Sequence, residues 1–310
     1  MDTSSPAMAV DLGEAAASSP LPSARLRGFA VAVVIATLVL IKAGAMVTST
    51  GSGLAYLDWP LANRSWWPPN MGLDGLLEHG HRAIGATIGL LVLILTVWVG
   101  LAEKRNWLRW LAIGALGLVV LQGVIGGLGV LERLPALTSV AHGVLAQVVL
   151  CVLTLIAFAL SAHWQPCHAA PAAMVNRARW WAGVGVALVF AQLVAGAILR
   201  HTGWTGMLWL HIFNAIVVAF GLVLAALYCG TRFGDHGFRG LSRAVGGLVL
   251  LQLMLGFVTL GVRRVKDPSN IEYLGSSVLV TSHVVVGAVL FLTSSLLLYR
   301  ALRNLEPIPA

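Results

Sequence analysis

Four histidines occupy equivalent places in four long apolar segments, and they are the residues best suited to chemistry. His81, His142, His211 and His283 each lie within the first turn or two of a segment long enough to cross a bilayer. A single histidine at a helix end is usually a solvated interfacial residue. Four at repeated positions favour ligands instead, because ionisable side chains inside membrane helices are costly and face the bundle interior.

Two inward-facing histidines on facing helices of a four-helix bundle can hold haem through both axial positions. Neutral imidazole is the ligating form, and an outer acceptor usually fixes its second ring nitrogen. Zinc is a weaker interpretation, because it takes four ligands and two histidines per bundle do not supply them. The pattern therefore predicts one site from His81 and His142 and another from His211 and His283.

Charged residues flank His81. Glu78 lies three residues before it, so on a helix the two share a face. The Glu78 carboxylate either assists a reaction beside the haem or interacts with the helix dipole. Arg82 either pairs with a haem propionate or extends to the lipid headgroups. His79, which points about 160° away from His81 on a helix, and His201, placed in a short loop, are interpreted as exposed interfacial residues.

Apolar helices must position these residues, and the composition of the chain indicates such helices. The chain has 310 residues, of which 58% are hydrophobic and 10% are charged, whereas soluble domains average about 25% charged residues. So few charges cannot cover a soluble globule, and we predict an all-α membrane protein with eight transmembrane helices. The predicted spans are 29–48, 80–101, 110–131, 138–160, 181–199, 207–229, 244–262 and 277–299.

The net charge of +8 comes mainly from cations in short loops between the spans. This position indicates topology signals and headgroup contacts rather than nucleic-acid binding. Twelve lysines and arginines fall on one side and six on the other, although Arg263, Arg264 and Lys266 dissent. Both termini are therefore predicted to be cytoplasmic, in a multi-pass protein of the inner (cytoplasmic) membrane. The role of Lys42, within the first span, stays open.

Spans 1–4 and 5–8 resemble each other, which predicts two four-helix bundles related by a pseudo-two-fold axis along the membrane normal. The ends of spans 1 and 5, Ala43–Gly51 and Ala195–Gly203, share five of nine residues. The predicted organisation is a disordered cytoplasmic tail (1–28), an N-terminal bundle (29–160), a cytoplasmic linker (161–180), a C-terminal bundle (181–299) and a cytoplasmic tail (300–310).

One loop breaks the symmetry between the halves. The segment Gly51–Asn70 before span 2 contains Gly, Pro and three closely spaced Trp, and span 6 has no counterpart. It forms either a lid over an outer-face site or an interfacial anchor. None of the three cysteines, Cys151, Cys167 and Cys229, lies in a predicted outer loop, so no outer-face disulfide is expected.

The chain resembles the haem A synthase family over about residues 29–299. The motifs that carry the resemblance are TGSGL with DWP (Thr50–Leu54, Asp58–Pro60), E-x-x-H-R (Glu78, His81, Arg82), LQGVIGGLGVL (Leu121–Leu131), SVAH with AQ (Ser139–His142, Ala146–Gln147), RHTG (Arg200–Gly203), His211 and TSH (Thr281–His283).

The resemblance implies that the N-terminal half binds haem O as substrate between His81 and His142 and releases haem A. It implies that Glu78 serves the oxidation of a haem O methyl group to a formyl group. It also implies a haem b held by His211 and His283 in the C-terminal half, haem O supplied by a haem O synthase, an unknown electron acceptor and a role in cytochrome oxidase assembly. Self-association is left open.

Many bacterial relatives have a cysteine pair in the first outer loop, and this chain has none there. A mechanism that uses such a pair does not apply to it. The competing interpretation is a dihaem b-type electron-transfer protein that does not modify its haem, since its histidine pattern would be the same. Glu78 and the first outer loop favour the enzyme. A transporter has little support, because few charges other than Lys42 lie deep in the spans.

Overall fold

The computed structural model describes residues 23–164, 168–262 and 271–308 of the chain. Within these residues, eight helices are long and apolar enough to cross a membrane, which confirms the predicted all-α membrane architecture. Their bounds are α1 Ala24–Thr50, α2 Leu73–Ala102, α3 Asn106–Leu131, α4 Ala136–Ala159, α5 Ala172–Thr202, α6 Thr205–Arg232, α7 Phe238–Val262 and α8 Ile271–Arg303.

The helices form because an apolar segment in lipid must satisfy its backbone hydrogen bonds internally. Two of these helices, α1 and α5, end at a glycine. Gly51 and Gly203 adopt the left-handed conformation, with φ of 71° and 65°, and cap their helices. Glycine adopts this conformation without the strain that a Cβ would add. The cap belongs to the motif shared by the two halves.

The helices group into two four-helix bundles with the same internal pairings. In the first, α1 packs on α2 and α4, and α3 packs on α2 and α4. In the second, α5 packs on α6 and α8, and α7 packs on α6 and α8. The bundles meet through α1, α4, α5 and α8. The repeated pairings are consistent with the predicted pseudo-two-fold axis, which itself stays a prediction.

At one end of the molecule, a short parallel strand pair joins the inter-bundle linker to the C-terminal segment. The strand β1, His168–Pro171, pairs with β2, Leu305–Ile308. Arg179 of α5 donates to the backbone carbonyls of Ala301 and Leu305. These contacts fix the start of α5 to the end of α8 within the C-terminal half.

Several predicted boundaries differ from the observed ones. α1 begins at Ala24, so the last residues of the predicted tail are helical, and α5 begins at Ala172, inside the predicted linker. α2 begins at Leu73 rather than near residue 80, and α8 continues to Arg303. Hydropathy marks only the part of a helix that lies in hydrocarbon, whereas helices continue into the interface. Residues 1–22, Cys167, Arg263, Arg264 and Lys266 lie outside the described residues.

Candidate functional site

The structure brings the four predicted histidine ligands together in two pairs, one in each bundle. His81 of α2 and His142 of α4 have ring centroids 6.5 Å apart and ring planes at 80°. His211 of α6 and His283 of α8 have centroids 6.4 Å apart and planes at 74°. The two halves therefore present the same histidine geometry.

This spacing fits two imidazoles on opposite sides of one iron. A metal–imidazole bond is about 2.0 Å long, and the ring centre lies beyond the nitrogen, so two axial ligands place their ring centres about 6 Å apart. In addition, Nδ1 of all four rings is buried and finds no hydrogen-bond partner among the described residues. Buried nitrogens without partners are costly in a protein interior. Both pairs therefore fit haem ligation.

Each imidazole packs edge-on against a glycine of the preceding helix. A Cβ built on Gly44, Gly126, Gly196 or Gly256 would lie 2.8, 2.8, 3.0 or 3.4 Å from Cε1 of the facing histidine ring. The glycines face His81, His142, His211 and His283, respectively. At three of the four positions a methyl group would displace the ring. The sequence indicates the histidines as candidates but not these glycines, because the contact forms only between helices.

Glu78 is buried, with 3% of its surface exposed, and it contacts the loop above α2. One carboxylate oxygen accepts the backbone N–H of Tyr56 at 3.0 Å. The other accepts from the guanidinium of Arg82, one turn along the helix. The side chain is therefore buried and held by the loop and by Arg82, while its role beside a haem stays a prediction.

Arg82 organises the first outer loop, the segment Gly51–Gly72 between α1 and α2. Its guanidinium donates to the carbonyl oxygens of Asp58 at 2.8 Å, Leu61 at 2.6 Å and Tyr56 at 3.3 Å. The sequence offered a propionate or the headgroups as partners for Arg82. The observed partners are loop carbonyls and Glu78, which makes Arg82 the link between the loop and the helix that carries His81.

The Asp58 carboxylate closes the same loop from the other side. It accepts the backbone N–H groups of Arg64 at 2.7 Å and Asn63 at 2.9 Å. The bond from the Arg64 N–H is the main reason that the pKa of Asp58 lies below its usual value. Asn63 and Arg64 have φ of 50° and 60°, so the carboxylate holds two residues in the left-handed conformation.

The first outer loop has both inward and outward aromatic residues. The indole of Trp59 lies on α3, where a Cβ at Gly127 would approach it within 2.6 Å. Gly127 is next to the glycine that faces His142. Trp66 and Trp67 are 76% and 69% exposed, as an interfacial anchor requires. Trp67 also makes an edge contact with the ring of His79 at 5.0 Å. The loop therefore combines features of both predicted roles.

Arg200 is a second arginine near the histidines, and it crosses between the bundles. It lies in the last turn of α5, and its guanidinium donates to the Ala45 carbonyl at 2.7 Å and to Ser49 Oγ at 2.8 Å, both in α1. No acidic side chain forms an ion pair with it in the part of the chain that the structure describes. The sequence contained this residue in the RHTG motif without revealing the contact.

Lys42 and three further histidines stand outside the two ring pairs. Lys42 is exposed on the outer surface of α1 rather than inside the bundle. His201 belongs to the last turn of α5, not to a loop, because the helix continues to Thr202 before its glycine cap. His168 and His236 stack with ring centroids 3.5 Å apart near β1. None of these four residues takes part in the ring contact of either pair.

Comparisons with known proteins agree with this geometry. The family model described as cytochrome oxidase assembly protein (COX15-CtaA) matches residues 73–208. A haem A synthase of Alkalihalophilus pseudofirmus is 26% identical over 238 residues, which cover 74% of this chain and 75% of that protein. A haem A synthase of Symbiobacterium thermophilum is 32% identical over 188 residues, which cover 57% of this chain and 60% of that protein.

A haem A synthase of Geobacillus kaustophilus is 28% identical over 185 residues, and the match spans 56% of that protein's length, little more than half. The family model covers Glu78, His81, Arg82 and His142, the residues of the N-terminal pair and its loop contacts. Together with the eight spanning helices and the two histidine pairs, these matches show that part of the chain is similar to haem A synthases and to a family of cytochrome oxidase assembly proteins.

Proposed function

We propose that the protein is a haem A synthase that oxidises a methyl group of haem O to a formyl group. The observation that carries this proposal is the difference between its two histidine pairs. Both have the same ring geometry, but among the residues that the structure describes a buried carboxylate, Glu78, that is bonded to a structured loop occurs only on a helix of the His81–His142 pair. A dihaem electron-transfer protein has no need of this addition.

The N-terminal half is the proposed substrate site, and the C-terminal half is the proposed electron-transfer site. His81 and His142 would hold haem O, while His211 and His283 would hold haem b. Haem b supplies one-electron redox chemistry when bound. The closeness of the halves, which meet through α1, α4, α5 and α8, allows electrons to pass between the two groups.

The reaction proceeds through two hydroxylations and a dehydration. If water supplies the oxygen, each hydroxylation of the methyl carbon consumes one water and releases two protons and two electrons. The second gives a geminal diol, which loses water to form the aldehyde. Glu78, positioned by the Tyr56 N–H and by Arg82, accepts a proton or stabilises positive charge at the reacting edge. The electrons leave through the C-terminal half to an acceptor outside the chain.

The proposed location is the inner (cytoplasmic) membrane, with both termini in the cytoplasm. The support is the twofold excess of Lys and Arg on the side of the termini. Haem O would come from a haem O synthase in the same membrane. The two histidine pairs lie at the starts of even-numbered helices, which in this orientation puts them near the outer face.

Haem analysis of the purified protein tests the proposal. Protein produced together with a haem O synthase should yield haem b and either haem O, its alcohol or haem A on chromatography with mass detection. The Glu78→Gln variant should retain haem while its conversion to haem A falls at least about a hundredfold. Haem b alone in the wild type, without conversion of co-produced haem O, would establish the electron-transfer alternative.

A further inference from the structure

Three of the four histidines belong to a repeated unit with a glutamine and a glycine on the preceding helix. The glutamine lies four residues before the glycine, so both face the same neighbour. We call this set the Gln–Gly–His unit. Its members are Gln122, Gly126 and His142; Gln192, Gly196 and His211; and Gln252, Gly256 and His283.

The glutamine amide contacts its histidine in every unit. Nε2 of Gln122 donates to the backbone carbonyl of His142 at 2.9 Å, and Nε2 of Gln192 does the same to His211 at 2.9 Å. Nε2 of Gln252 lies 3.4 Å from Nε2 of the His283 ring. The amide therefore contacts the histidine backbone in two units and the histidine ring in the third.

The amide oxygens are available to the rings. Oε1 of Gln122 and of Gln252 is buried and finds no partner within the described ranges, and neither does Nδ1 of the adjacent histidine. Oε1 of Gln192 accepts from Asn214 and keeps a second lone pair. His142 and His283 therefore each have an unpartnered buried ring nitrogen and an unpartnered buried amide oxygen on the contacting glutamine.

His81 is the exception, because Leu40 stands four residues before its glycine, Gly44. The structure shows that this leucine takes the place of the glutamine. A Cβ on Gly85, one turn after His81, would meet Cδ1 of Leu40 at 3.9 Å. A Cβ on Gly287, one turn after His283, would meet Nε2 of Gln252 at 3.2 Å. The same niche holds an apolar methyl group in one case and an amide in the other.

An imidazole that ligates a metal almost always donates its second N–H to an acceptor, which orients the ring and strengthens the ligand. We propose that Leu40 makes His81 the weaker, exchangeable ligand of the substrate haem, whereas His142 with Gln122 is its anchor. This inference rests on the proposed function. A substrate site must release its haem after each reaction, while the C-terminal pair, with a glutamine for both histidines, retains its haem.

The test compares haem dissociation from purified variants. The rate is measured by transfer to excess apomyoglobin, with chromatographic identification of each haem and low-spin electron paramagnetic resonance signals of each site. Leu40→Gln supplies the amide that His81 lacks, and Leu40→Met is the apolar control. Gln122→Leu removes the amide of the anchor, and Gln252→Leu is the matched change in the other half.

Leu40→Gln should slow release of haem O and haem A about tenfold and shift the resonance signal of that site, while Leu40→Met keeps the wild-type rate. Gln122→Leu should speed the same release about tenfold, and Gln252→Leu should speed release of haem b alone. Unchanged rates and signals in both Leu40→Gln and Gln122→Leu would overturn the proposal. If Leu40→Gln does not fold, the two Gln→Leu variants decide alone.

The result is separable from the proposed function. If wild-type protein contains haem b in both halves and converts no haem O, the proposed function fails. The rates of haem release from the N-terminal pair in the wild-type, Leu40→Gln and Gln122→Leu forms are then compared in a His283→Ala background, which empties the other site. Faster release in Gln122→Leu and slower release in Leu40→Gln would still support unequal ligands at His81 and His142, and equal release would refute them.

Discussion

The position of each histidine ring depends on a glycine that faces it from the preceding helix. Membrane helices approach closely where small residues lie at the interface. Here the ring edge fills the space that a side chain would take, with Cε1 of His142 only 2.8 Å from the Cβ position of Gly126. The glycine therefore determines the depth and the orientation of the ligand.

Gly126→Ala is expected to empty the N-terminal haem site. The added methyl group would force the ring of His142 to move, and the N-terminal haem content of purified protein should fall by about tenfold or more. Gly123→Ala, in the same helix, is the control, because its Cβ meets no atom within 4 Å in the described part of the chain. Haem extraction and chromatography measure both. Equal haem content in the two variants would contradict the role of the close contact.

At this scale, the sequence predicted residues that carry their own chemical signal. Histidine is rare and costly inside a membrane helix, so four at repeated positions were recognisable, and Glu78 followed from its spacing to His81. Gln122 and Gly126 act on a histidine of another helix, and no spacing along the chain shows such a contact. A signal did exist, since glutamine precedes glycine by four residues in α3, α5 and α7.

At the scale of elements, Arg82 makes several of the hydrogen bonds that attach the first outer loop to α2. Arg82 donates to three loop carbonyls and to Glu78. A guanidinium has five N–H donors in a fixed planar arrangement, which a lysine ammonium cannot reproduce. The order of the loop and the position of Glu78 should therefore depend on arginine itself, not only on positive charge.

Arg82→Lys is expected to loosen the loop while the haem stays bound. Conversion of haem O should fall by up to about a hundredfold, because misplacement of a catalytic group is enough to cause such a loss. Limited proteolysis in proteoliposomes should show new cleavage between Gly51 and Gly72. Arg64→Lys is the control, since the side chain of Arg64 is exposed in the same loop. Loss of haem with an uncleaved loop would instead assign Arg82 to a propionate.

The path of the first outer loop could not be predicted from its composition. Its Gly, Pro and Trp content indicated an irregular interfacial segment, and Trp66 and Trp67 are indeed exposed. The inward contacts depend on Tyr56 and Trp59, which look the same in the sequence as aromatic residues that face lipid. Their side chains pack on Gly75 and Gly127, which lie on two different helices.

At the scale of the whole molecule, the halves are joined by polar contacts as well as by apolar packing. The Sγ of Cys151 in α4 lies 2.8 Å from the hydroxyl of Tyr299 in α8. Towards the other end, Ser49 of α1 contacts Arg200 at 2.8 Å and Thr281 of α8 at 3.1 Å. Hydrogen bonds between membrane helices contribute about 0.6 kcal/mol on average. Their main effect is therefore to fix the relative position of the bundles, and their contribution to the free energy of association is small.

The division into two four-helix halves was predictable because the halves share sequence motifs, as in Ala43–Gly51 and Ala195–Gly203. Hydropathy predicted the eight spans because only long apolar helices are stable across a bilayer, and hydropathy detects such helices directly. The contact surface between the halves was not predictable. It depends on pairs such as Arg200 and Ser49, which are 151 residues apart.

The charge of Arg200 at this interface should affect the redox potential of a nearby haem. The Arg200 guanidinium bonds Ser49, which also contacts Thr281, two residues before His283. It has no ion-pair partner among the residues that the structure describes. A positive charge near a haem favours the ferrous form over the more positive ferric form. Arg200→Met should therefore lower the midpoint potential of the haem held by His211 and His283, by on the order of 50 mV.

Ser49→Ala separates this electrostatic effect from the loss of the interface contact. It removes one acceptor of Arg200 but leaves the charge in place, so it should leave the midpoint potential unchanged. Both variants should lower the melting temperature in detergent slightly, because both weaken the contact between α1 and α5. A redox titration followed at the haem absorption bands measures the potential. If Arg200→Met and Ser49→Ala shift the potential equally, the shift arises from movement of the bundles, and the charge of Arg200 does not control the haem.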